Sequence, residues 1–220
     1  MHRPTTAVSR LREKQTTARD QLDDLLDSTP LATVAFVREG HPMALPIGFA
    51  RIDDELVVHG STGSPFLRDL AAGVPAAVSV TVLDGVVVAR SGFESSFHYR
   101  SAVVYGTFAP VGAGEKIRYL ETLTDTFVPG RVAELRPSTK RELAATRVLR
   151  LALTDDNWSL KIGDGWSEDP EEDIAAGAWA GVVPIVTTYG RPLRAPDCAE
   201  AIPVPDSVTK MTGPVQNRRR

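Results

Sequence analysis

Short β-type runs alternate with turn residues from Leu31 onward, and this alternation limits the fold more than any other feature of the sequence. β-branched residues are frequent in the runs, while Gly, Pro and Asp separate them, as is typical of strands and tight turns. Residues 39–42 and the pair Asp84-Gly85 are predicted to form hairpin turns. The pattern predicts strands over residues 31–37, 43–51, 55–59, 76–83, 86–90, 99–110, 148–153 and 179–186. Many short strands with few helices indicate a mainly β protein, a β-barrel with flanking helices.

Two helices are predicted in the first third of the chain. Residues 17–28 carry three leucines at helical spacing, and Thr17 is a candidate N-cap. A second, shorter helix is predicted over residues 64–70, because Ser64 is a good N-cap and Pro65 suits the first helical position.

Two more helices are predicted after the longest β-type run. Residues 115–127 form an amphipathic helix that is expected to pack on a sheet. Ser138 and Glu142 indicate a weaker helix start. The apolar face of the first of these helices is predicted to contain Ile117, Leu120, Leu123, Thr124 and Phe127.

The composition indicates one globular domain with polar ends. The chain has 220 residues, of which 42% are hydrophobic and 24% charged, as is typical of a single compact domain. We predict a disordered or frayed segment over residues 1–16, one barrel domain over residues 17–206, and a polar tail over residues 207–220.

Charge and cysteine content exclude several classes of protein. The net charge of −3 gives no reason to expect nucleic acid or an acidic membrane as a partner. Cys198 is the only cysteine, so neither an intramolecular disulfide nor a zinc site with several cysteines can form. No segment resembles a signal peptide, and no run approaches the ~20 apolar residues that span a bilayer. We therefore expect a cytoplasmic protein without a metal site.

A polar loop between a strand and a helix, residues 59–68, is the richest candidate for binding chemistry. The first N–H groups of the helix have no intrahelical acceptor, and together with the peptide dipoles they favour an anion. The loop lacks the Gly-Lys-Ser/Thr ending of a Walker A motif, and a plain loop with its N-cap is also consistent with it. The side chains that could add to an anion site are His59, Ser61, Thr62, Ser64 and Arg68.

A second candidate segment, residues 89–101, places charged side chains at the start of an otherwise apolar strand. Alternate residues of a strand share a face, so His98 and Arg100 lie on one face and Ser101 on the other. A guanidinium at such a place could bind a phosphate or a carbonyl edge of a heterocycle. A barrel rim held by ion pairs between Glu94 and a nearby arginine is the alternative.

The histidines leave several roles open. His98 could be an acid/base, a metal or haem ligand, or a hydrogen-bonded rim residue, and His59 could be a simple loop anchor. No Ser-His-Asp arrangement and no metal-ligand spacing can be assigned from the sequence.

Landmarks in both segments and further along the chain resemble the pyridoxamine 5′-phosphate oxidase-like FMN-binding split-barrel proteins, specifically the branch related to nitroimidazole-resistance proteins. The likeness covers roughly residues 15–206. The matching residues include His59-Gly60-Ser61, Ser64, Leu67-Arg68, Gly73-Val74-Pro75, residues 83–91, Tyr99-Arg100-Ser101, Gly106, Glu115-Lys116, residues 128–131, Glu142-Leu143, Ala145-Thr146, Lys161, Trp179-Ala180-Gly181-Val182, Pro184 and residues 202–205.

The resemblance implies a six-stranded split barrel, a homodimer, and two equivalent cofactor clefts at its interface. By analogy, the FMN phosphate would lie over residues 61–64 with Arg68 and His59. Arg100 and Ser101 would line the flavin, and Lys161 and Trp179 would close the cleft. The function implied is an FMN-dependent oxidoreductase acting on a small organic substrate. His98 is then the candidate for catalytic proton transfer.

One departure from the family pattern keeps other functions open. The branch usually reads His-His-Ser-Met-Asn where this chain has Glu94-Ser95-Ser96-Phe97-His98. Because two histidines are lost and one is gained, the substrate side of the site differs. A haem enzyme with His59 or His98 as ligand is one alternative, and a non-catalytic protein that binds flavin or another ligand is the other.

Overall fold

The computed structural model describes residues 14–212, and its dominant feature is one antiparallel sheet of ten strands in that range. The sheet order is β1-β9-β6-β5-β2-β3-β4-β8-β7, and β10 pairs with β5 outside this path. The strands are β1 (Gln15–Thr16), β2 (Leu31–Arg38), β3 (His41–Ile52), β4 (Glu55–Ser61), β5 (Pro75–Val88), β6 (Ser96–Thr107), β7 (Ala109–Pro110), β8 (Thr146–Ala152), β9 (Trp158–Gly163) and β10 (Gly181–Pro184).

Short helices flank the sheet, and the mainly β fold class is confirmed. The sheet is curved but not closed, which is consistent with a split barrel. No helix within residues 14–212 is long and apolar enough to cross a membrane. The helices are α1 (Arg19–Asp27), α2 (Pro65–Ala71), α3 (Lys116–Phe127), a 3₁₀ helix (Val132–Glu134), α4 (Lys140–Ala145), α5 (Glu171–Ala175) and α6 (Asp206–Met211).

The apolar side chains form two buried clusters on opposite sides of β3 and β4. The larger cluster fills the barrel, where the three leucines of α1 pack against strand residues such as Phe49 and Leu149. The smaller cluster lies under α3, where Tyr119 and Leu123 pack on Val57. Strand β4 contributes to both clusters and is therefore apolar on both faces. Leu56 and Val58 face the barrel interior, while Val57 faces α3.

Asp84-Gly85 is not a hairpin turn, and this prediction is wrong. The two predicted strands form one continuous strand, β5, with a shift of register against β6 between Leu83 and Gly85. Asp84 is therefore a β-bulge, and β10 pairs with β5 on the other edge of the same stretch. A Cβ on Gly85 would lie 3.1 Å from the Val183 carbonyl oxygen, so glycine is needed here for close approach of β10.

Other boundaries also differ from the predictions. β9 alternates apolar and polar residues, but the predictions contain no strand over this stretch. The last strand begins at Gly181, so Trp179 precedes it instead of starting it. The turn predicted over residues 39–42 is formed by Glu39 and Gly40 alone, both at positive φ, while β3 already begins at His41.

The helices are where the sequence indicated, with different caps. Ser64 caps α2 as predicted, with Pro65 at the first position. Ala18, not Thr17, occupies the N-cap of α1. Thr139, not Ser138, caps α4 in a capping box with Glu142.

The apolar face of α3 differs from the prediction by one contact. Ile117 is 47% exposed, whereas Tyr119 is buried in the smaller cluster, and its hydroxyl donates a hydrogen bond to Glu55. Leu120, Leu123 and Phe127 pack on the sheet as predicted. Thr124 is half-buried, and its hydroxyl donates a hydrogen bond to the Leu120 carbonyl of its own helix.

At the ends of the chain, Gln15 and Thr16 pair with β9, so they are not frayed. The rest of the segment predicted as disordered, residues 1–13, lies outside the described residues. Helix α6 forms within the predicted polar tail, of which residues 213–220 are not described.

One face of the sheet is left open by the helices. Ala32, Val34 and Phe36 of β2 point into the barrel, so the alternate residues point outward, and Leu31 and Val37 are 57% and 61% exposed. The register continues this face onto β5 and β6. All its side chains are uncharged. We call this surface the outer sheet face; its members are Leu31, Thr33, Ala35, Val37, Ala77, Ser79, Thr81, Leu83, Ser101, Val103 and Tyr105.

Candidate functional site

The loop between β4 and α2 is exposed at the surface, where a ligand can reach it. β4 ends at Ser61 because its partner β8 begins at Thr146, and Pro65 then starts α2. A Cβ at Gly60 would lie 2.7 Å from the Leu67 side chain, so glycine lets Leu67 pack directly on the end of the strand. The close packing of Leu67 on the strand therefore fixes how α2 leaves the loop.

The backbone N–H groups of this loop all have acceptors within the chain. The Thr62 N–H donates to the Ala145 carbonyl at 2.9 Å, and the Ser64 N–H donates to the Ser61 carbonyl at 3.1 Å. The Gly63 N–H donates to Ser61 Oγ at 3.1 Å. Ser64 Oγ accepts from the Leu67 N–H at 3.4 Å, as an N-cap does. An anion at this loop must therefore be held mainly by side chains.

Two guanidinium groups without ion pairs lie next to the loop. Arg68 is exposed on α2, and among the described residues it has no carboxylate partner. Arg147 pairs with Gly60 across β4 and β8, and its Nη1 donates to the Leu67 carbonyl at 3.3 Å. Neither guanidinium is neutralised within residues 14–212, so the two charges are available to an anion. Arg147 was not singled out from the sequence, because only the β4–β8 register brings it to the loop.

His59 lies on the side of β4 that faces α3, together with Val57. Its ring is 6.3 Å from the Phe127 ring, centroid to centroid, and its Nδ1 is buried without a hydrogen-bond partner. Burial lowers the pKa of His59 below its ordinary value, so the neutral imidazole is favoured. This environment holds the side chain beneath α3 and turned away from the open loop.

His98 and Arg100 lie at the rim formed by the start of β6. His98 Nε2 is 2.8 Å from the Gly165 carbonyl oxygen, which anchors the ring and leaves Nδ1 without a partner in the described chain. Gly165 belongs to the segment that follows β9, and the next residue, Trp166, is 77% exposed. The rim therefore combines an anchored imidazole with an exposed aromatic ring.

Arg100 is held by Asp84 and not by Glu94. Arg100 Nε and Nη2 each donate to a carboxylate oxygen of Asp84 at 2.9 Å, and the hydrogen bond to Asp84 raises the pKa of Arg100. Such a forked pair fixes the guanidinium plane. The alternative, an ion pair of Glu94 with a nearby arginine, does not form among the described residues, because Asp84 at the bulge pairs with Arg100 instead. Sequence reasoning missed Asp84, since it interpreted this residue as part of a turn.

The same rim includes a buried ion pair that the sequence did not indicate. Asp169 accepts hydrogen bonds from the Arg90 N–H at 2.8 Å, from Arg90 Nη1 at 2.9 Å and from the Ser167 hydroxyl at 2.8 Å. Burial opposes ionisation of Asp169, but these hydrogen bonds together lower the pKa of its carboxyl. The segment between β9 and α5 is therefore fastened to the rim at Gly165 and again at Asp169.

Ser101 and Lys161 are direct partners across β6 and β9, so the structure brings this predicted pair together. Both lie on the outward side of the sheet, because Ala102 and Leu160 beside them point into the barrel. Trp179 is 68% exposed and lies just before β10, where its ring covers Gly181. Since β10 pairs with β5 and β5 pairs with β6, Trp179 lies near the rim that carries His98.

Within one copy of the chain the predicted site residues thus occupy three places. The first is the β4–α2 loop with its two guanidiniums, the second is the rim with His98, Arg100 and Trp179, and the third is the outward pair Ser101 and Lys161. Their joint role as one cofactor site stays a prediction.

Comparison with solved structures identifies two full-length relatives. A FAD and haem binding protein from Mycobacterium smegmatis is 66% identical, with a TM-score of 0.89, over 91% of this chain and 98% of that chain. The flavocytochrome Anf3 from Azotobacter vinelandii is 30% identical, with a TM-score of 0.87, over 96% of this chain and 99% of that chain.

A third structure supports the fold alone. It is a 5-nitroimidazole antibiotic resistance protein of Bacteroides thetaiotaomicron, 14% identical, with a TM-score of 0.56 over 67% of this chain and 86% of that chain. No curated protein matches the chain at a significant level.

The family model described as pyridoxamine 5′-phosphate oxidase matches residues 18–157, which is more than half of the chain. The chain therefore belongs to the pyridoxamine 5′-phosphate oxidase family and has its flavin-binding split-barrel fold. The neighbours that match it over nearly their whole length bind flavin and haem.

Proposed function

We propose that this protein is a flavin-dependent oxidoreductase for a small organic substrate, with FAD as its flavin and haem as a second cofactor. The observation that carries the flavin part is the pair of unneutralised guanidiniums, Arg68 and Arg147, beside the β4–α2 loop. FAD contains a pyrophosphate, whose two phosphate groups can each bind one guanidinium, whereas FMN, the flavin expected from the sequence, contains a single phosphate group. Two guanidiniums therefore suit FAD better.

The relatives support the same pair of cofactors. The Mycobacterium smegmatis protein is described as binding FAD and haem, and Anf3 is described as a flavocytochrome. Both likenesses extend over more than nine-tenths of this chain.

His98 at the rim is a better candidate for a haem iron ligand than His59. A metal-ligating histidine usually has one ring nitrogen hydrogen-bonded to a carbonyl, and His98 is held in this way by Gly165. The exposed rings of Phe97, Trp166 and Trp179 offer apolar surface for a macrocycle near the rim. His59 is neutral, as a ligand must be, but α3 covers it and Phe127 packs beside it. We propose His98 as the iron ligand in place of a role in proton transfer.

When bound, a flavin supplies hydride or electron transfer and a haem supplies one-electron chemistry. The chain's own residues would bind these cofactors and orient them. Arg68 and Arg147 neutralise phosphate charge, with the hydroxyls of Ser61 and Thr62 as additional donors. Asp84 fixes the plane of Arg100, so that its remaining N–H groups can donate to a carbonyl edge of the isoalloxazine.

We further propose that the protein is a homodimer that pairs through the outer sheet face. This face is uncharged and rich in small and apolar side chains, as the cores of homodimer interfaces are. Ser101 belongs to it and Lys161 lies beside it, so pairing would enclose this part of the predicted flavin site between two copies.

Cofactor content is the direct test of the proposal. The purified protein should release FAD on denaturation, identified by mass, and should give a haem spectrum in alkaline pyridine. After removal of both cofactors, FAD should bind at least tenfold more tightly than FMN. FMN as the bound flavin would overturn the FAD assignment, and absence of any flavin would overturn the function.

Variants of the two arginines test the flavin site. Arg68→Ala combined with Arg147→Gln should raise the Kd for FAD about 100-fold, since each charged hydrogen bond contributes ~1.5 kcal/mol or more. Arg118→Ala, which removes one charge from α3, is the matched control and should leave the Kd unchanged. An equal Kd in the double variant and the control would contradict the phosphate assignment.

Variants of the histidines separate the haem ligands. His98→Ala should lose the haem absorption of the wild type while flavin content is retained, and His59→Leu should keep both. Loss of haem in His59→Leu alone would move the ligand to His59.

Redox activity is tested by anaerobic reduction with NADPH or a deazaflavin donor, followed by reoxidation with candidate substrates. A flavin that is never reoxidised by any small molecule except oxygen would indicate a binding protein without turnover.

A further inference from the structure

Residues 185–205 form an extended segment between β10 and α6 that the proposed function does not use. This segment, called here the C-terminal arm, contains no helix or strand, and nearly all its residues are exposed. Its large apolar side chains are 38–94% exposed, and the most exposed of them is Leu193. They are Ile185, Val186, Tyr189, Leu193, Ile202 and Val204.

The arm is fastened at both ends. At its start, the Ile185 N–H donates to the Asp84 carbonyl at 2.9 Å. Just beyond its end, Ser207 is buried, and its N–H and hydroxyl both donate to the Glu134 carboxylate. In between, Arg194 Nη1 donates to the Ala199 carbonyl at 2.8 Å. The arm thus has a defined course although its apolar side chains bury little surface.

Ordering such a segment has a cost that its own contacts do not offset. Fixing the backbone of one residue costs about 1–2 kcal/mol, which apolar burial normally offsets. Here Leu193 is 94% exposed, and other apolar residues of the arm are more than half exposed. An ordered, apolar and uncovered segment is typical of a surface that is buried in an assembly.

The total surface of the chain supports this interpretation. Its accessible surface is 14579 Å², whereas a compact monomer of 23.7 kDa is expected to expose about 9,800 Å². The residues outside the described range would contribute at most ~3,400 Å², the value for a fully extended chain of their mass. About 1,400 Å² per copy remains in excess, which is more than the ~800 Å² per partner of a standard interface. For two copies the total falls in the range of obligate dimers.

We propose that the C-terminal arm of each copy lies across a second copy of this chain. The inference rests on the proposed dimer and goes beyond it, because it assigns a separate segment to the interface. A second copy is favoured over other partners by charge: the arm contains Arg191, Arg194, Asp197 and Glu200, which sum to zero. A neutral, apolar arm fits the uncharged outer sheet face and gives no attraction to nucleic acid or an anionic membrane.

Two-fold symmetry explains how one chain can carry both surfaces. In an isologous dimer each copy supplies one arm and receives one, so both uncovered surfaces are buried in a closed assembly. The arm starts at the bulge whose carboxylate holds Arg100. Docking of the arm therefore also fixes the rim of the proposed cofactor site.

The first test measures the dimer directly. Tyr189→Glu combined with Leu193→Glu places charges on the arm at side chains that are exposed in the single copy, so folding of each copy should be retained. Sedimentation equilibrium should show a dimer for the wild type and at least a 100-fold higher dissociation constant for the double variant. Ile117→Glu, on an exposed apolar position of α3, is the matched control and should dimerise like the wild type. A double variant with the wild-type dissociation constant would overturn the proposal.

The second test uses Cys198, the only cysteine of the chain and a residue of the arm. Subunits that carry a photo-crosslinker on Cys198 are mixed with ¹⁵N-labelled Cys198→Ser subunits, exchanged and irradiated. Crosslinks from light Cys198 to heavy peptides of β2, β5 or β6, the strands of the outer sheet face, are expected. Crosslinks to light peptides alone, or to a co-purified protein of another sequence, would show that the arm does not lie on a second copy.

The outcomes separate this inference from the proposed function. Flavin and haem content is measured in the same samples. A wild-type dimer that is insensitive to the arm variants refutes the arm and leaves the dimer and its cofactors in place. A wild-type monomer that contains flavin refutes both the arm and the dimer but not the flavin assignment. A dimer that depends on the arm but contains neither cofactor upholds the arm and refutes the function.

Discussion

At the scale of single residues, His59 links burial to the pH dependence of stability. Because burial lowers its pKa below the ordinary value of 6.5, the unfolded chain binds the proton more tightly than the folded chain. Its contribution to stability is fully present above pH 6.5 and is lost as the pH falls below that value. The free energy of unfolding, measured by urea titration between pH 7.5 and 5.5, should fall less steeply for His59→Leu than for the wild type. Equal slopes would contradict the prediction.

The same scale shows what the sequence can predict about a site. Ser64 was predicted as an N-cap and is one, because capping depends on four consecutive residues. The partners of Arg100 and His98 were not predicted, because Asp84 and Gly165 reach them through strand pairing and a later loop. A contact within a few consecutive residues, such as an N-cap, can therefore be predicted from the sequence. The hydrogen-bond partners of Arg100 and His98 cannot, because strand register and a later loop determine them.

At the scale of elements, α3 provides a comparison of two positions on one helix. Leu123 is 1% exposed under the helix, whereas Ile117 is 47% exposed. Leu123→Ala should lower the free energy of unfolding by about 2.5–4 kcal/mol, because it removes buried methyl groups and leaves a cavity. Ile117→Ala should lower it by less than about 0.5 kcal/mol. Similar losses in urea titrations of the two variants would mean that α3 does not pack through Leu123.

The junction of β5 and β10 depends on one glycine. A Cβ on Gly85 would contact Val182 and the Val183 carbonyl oxygen, each at 3.1 Å. Gly85→Val should therefore push β10 away from β5, lower the free energy of unfolding by about 1–3 kcal/mol and expose amide protons of β10 to exchange. Gly92→Ala, where nothing lies within 4 Å, is the control. Unchanged protection of residues 181–184 from hydrogen exchange would contradict this account of the bulge.

The error about β5 shows why element predictions fail at bulges. An Asp-Gly pair between apolar runs is the strongest short-range signal for a hairpin, but this signal depends on only two residues. Here β6 on one edge and β10 on the other pair with the chain on both sides of Asp84, so the strand continues. Pairing with neighbouring strands decides whether such a residue pair forms a turn or a bulge, and a single sequence does not show which strands are neighbours.

At the scale of the whole molecule, the fold class was predictable and the uncovered surface was not. The alternating runs indicated a β-barrel, and the landmark residues indicated the family to which the chain belongs. The apolar residues of the C-terminal arm were not interpreted as an interface, because scattered side chains without periodicity give no pattern. Only the three-dimensional structure shows that Leu193 is almost fully exposed while both ends of the arm are fastened.

If the folded chain is a dimer over the concentrations used, its free energy of unfolding must depend on protein concentration. Mass action then stabilises the folded dimer by about 1.4 kcal/mol per mole of dimer for each tenfold increase in concentration. With the usual unfolding entropy per residue, a hundredfold increase should raise Tm by about 3 °C in reversible calorimetric scans. The Tyr189→Glu, Leu193→Glu variant should show no such dependence, because its copies no longer share apolar surface, while Ile117→Glu should keep it. A wild-type Tm that is constant over this range would mean that each copy is stable alone, and that its excess surface is not covered by a second copy.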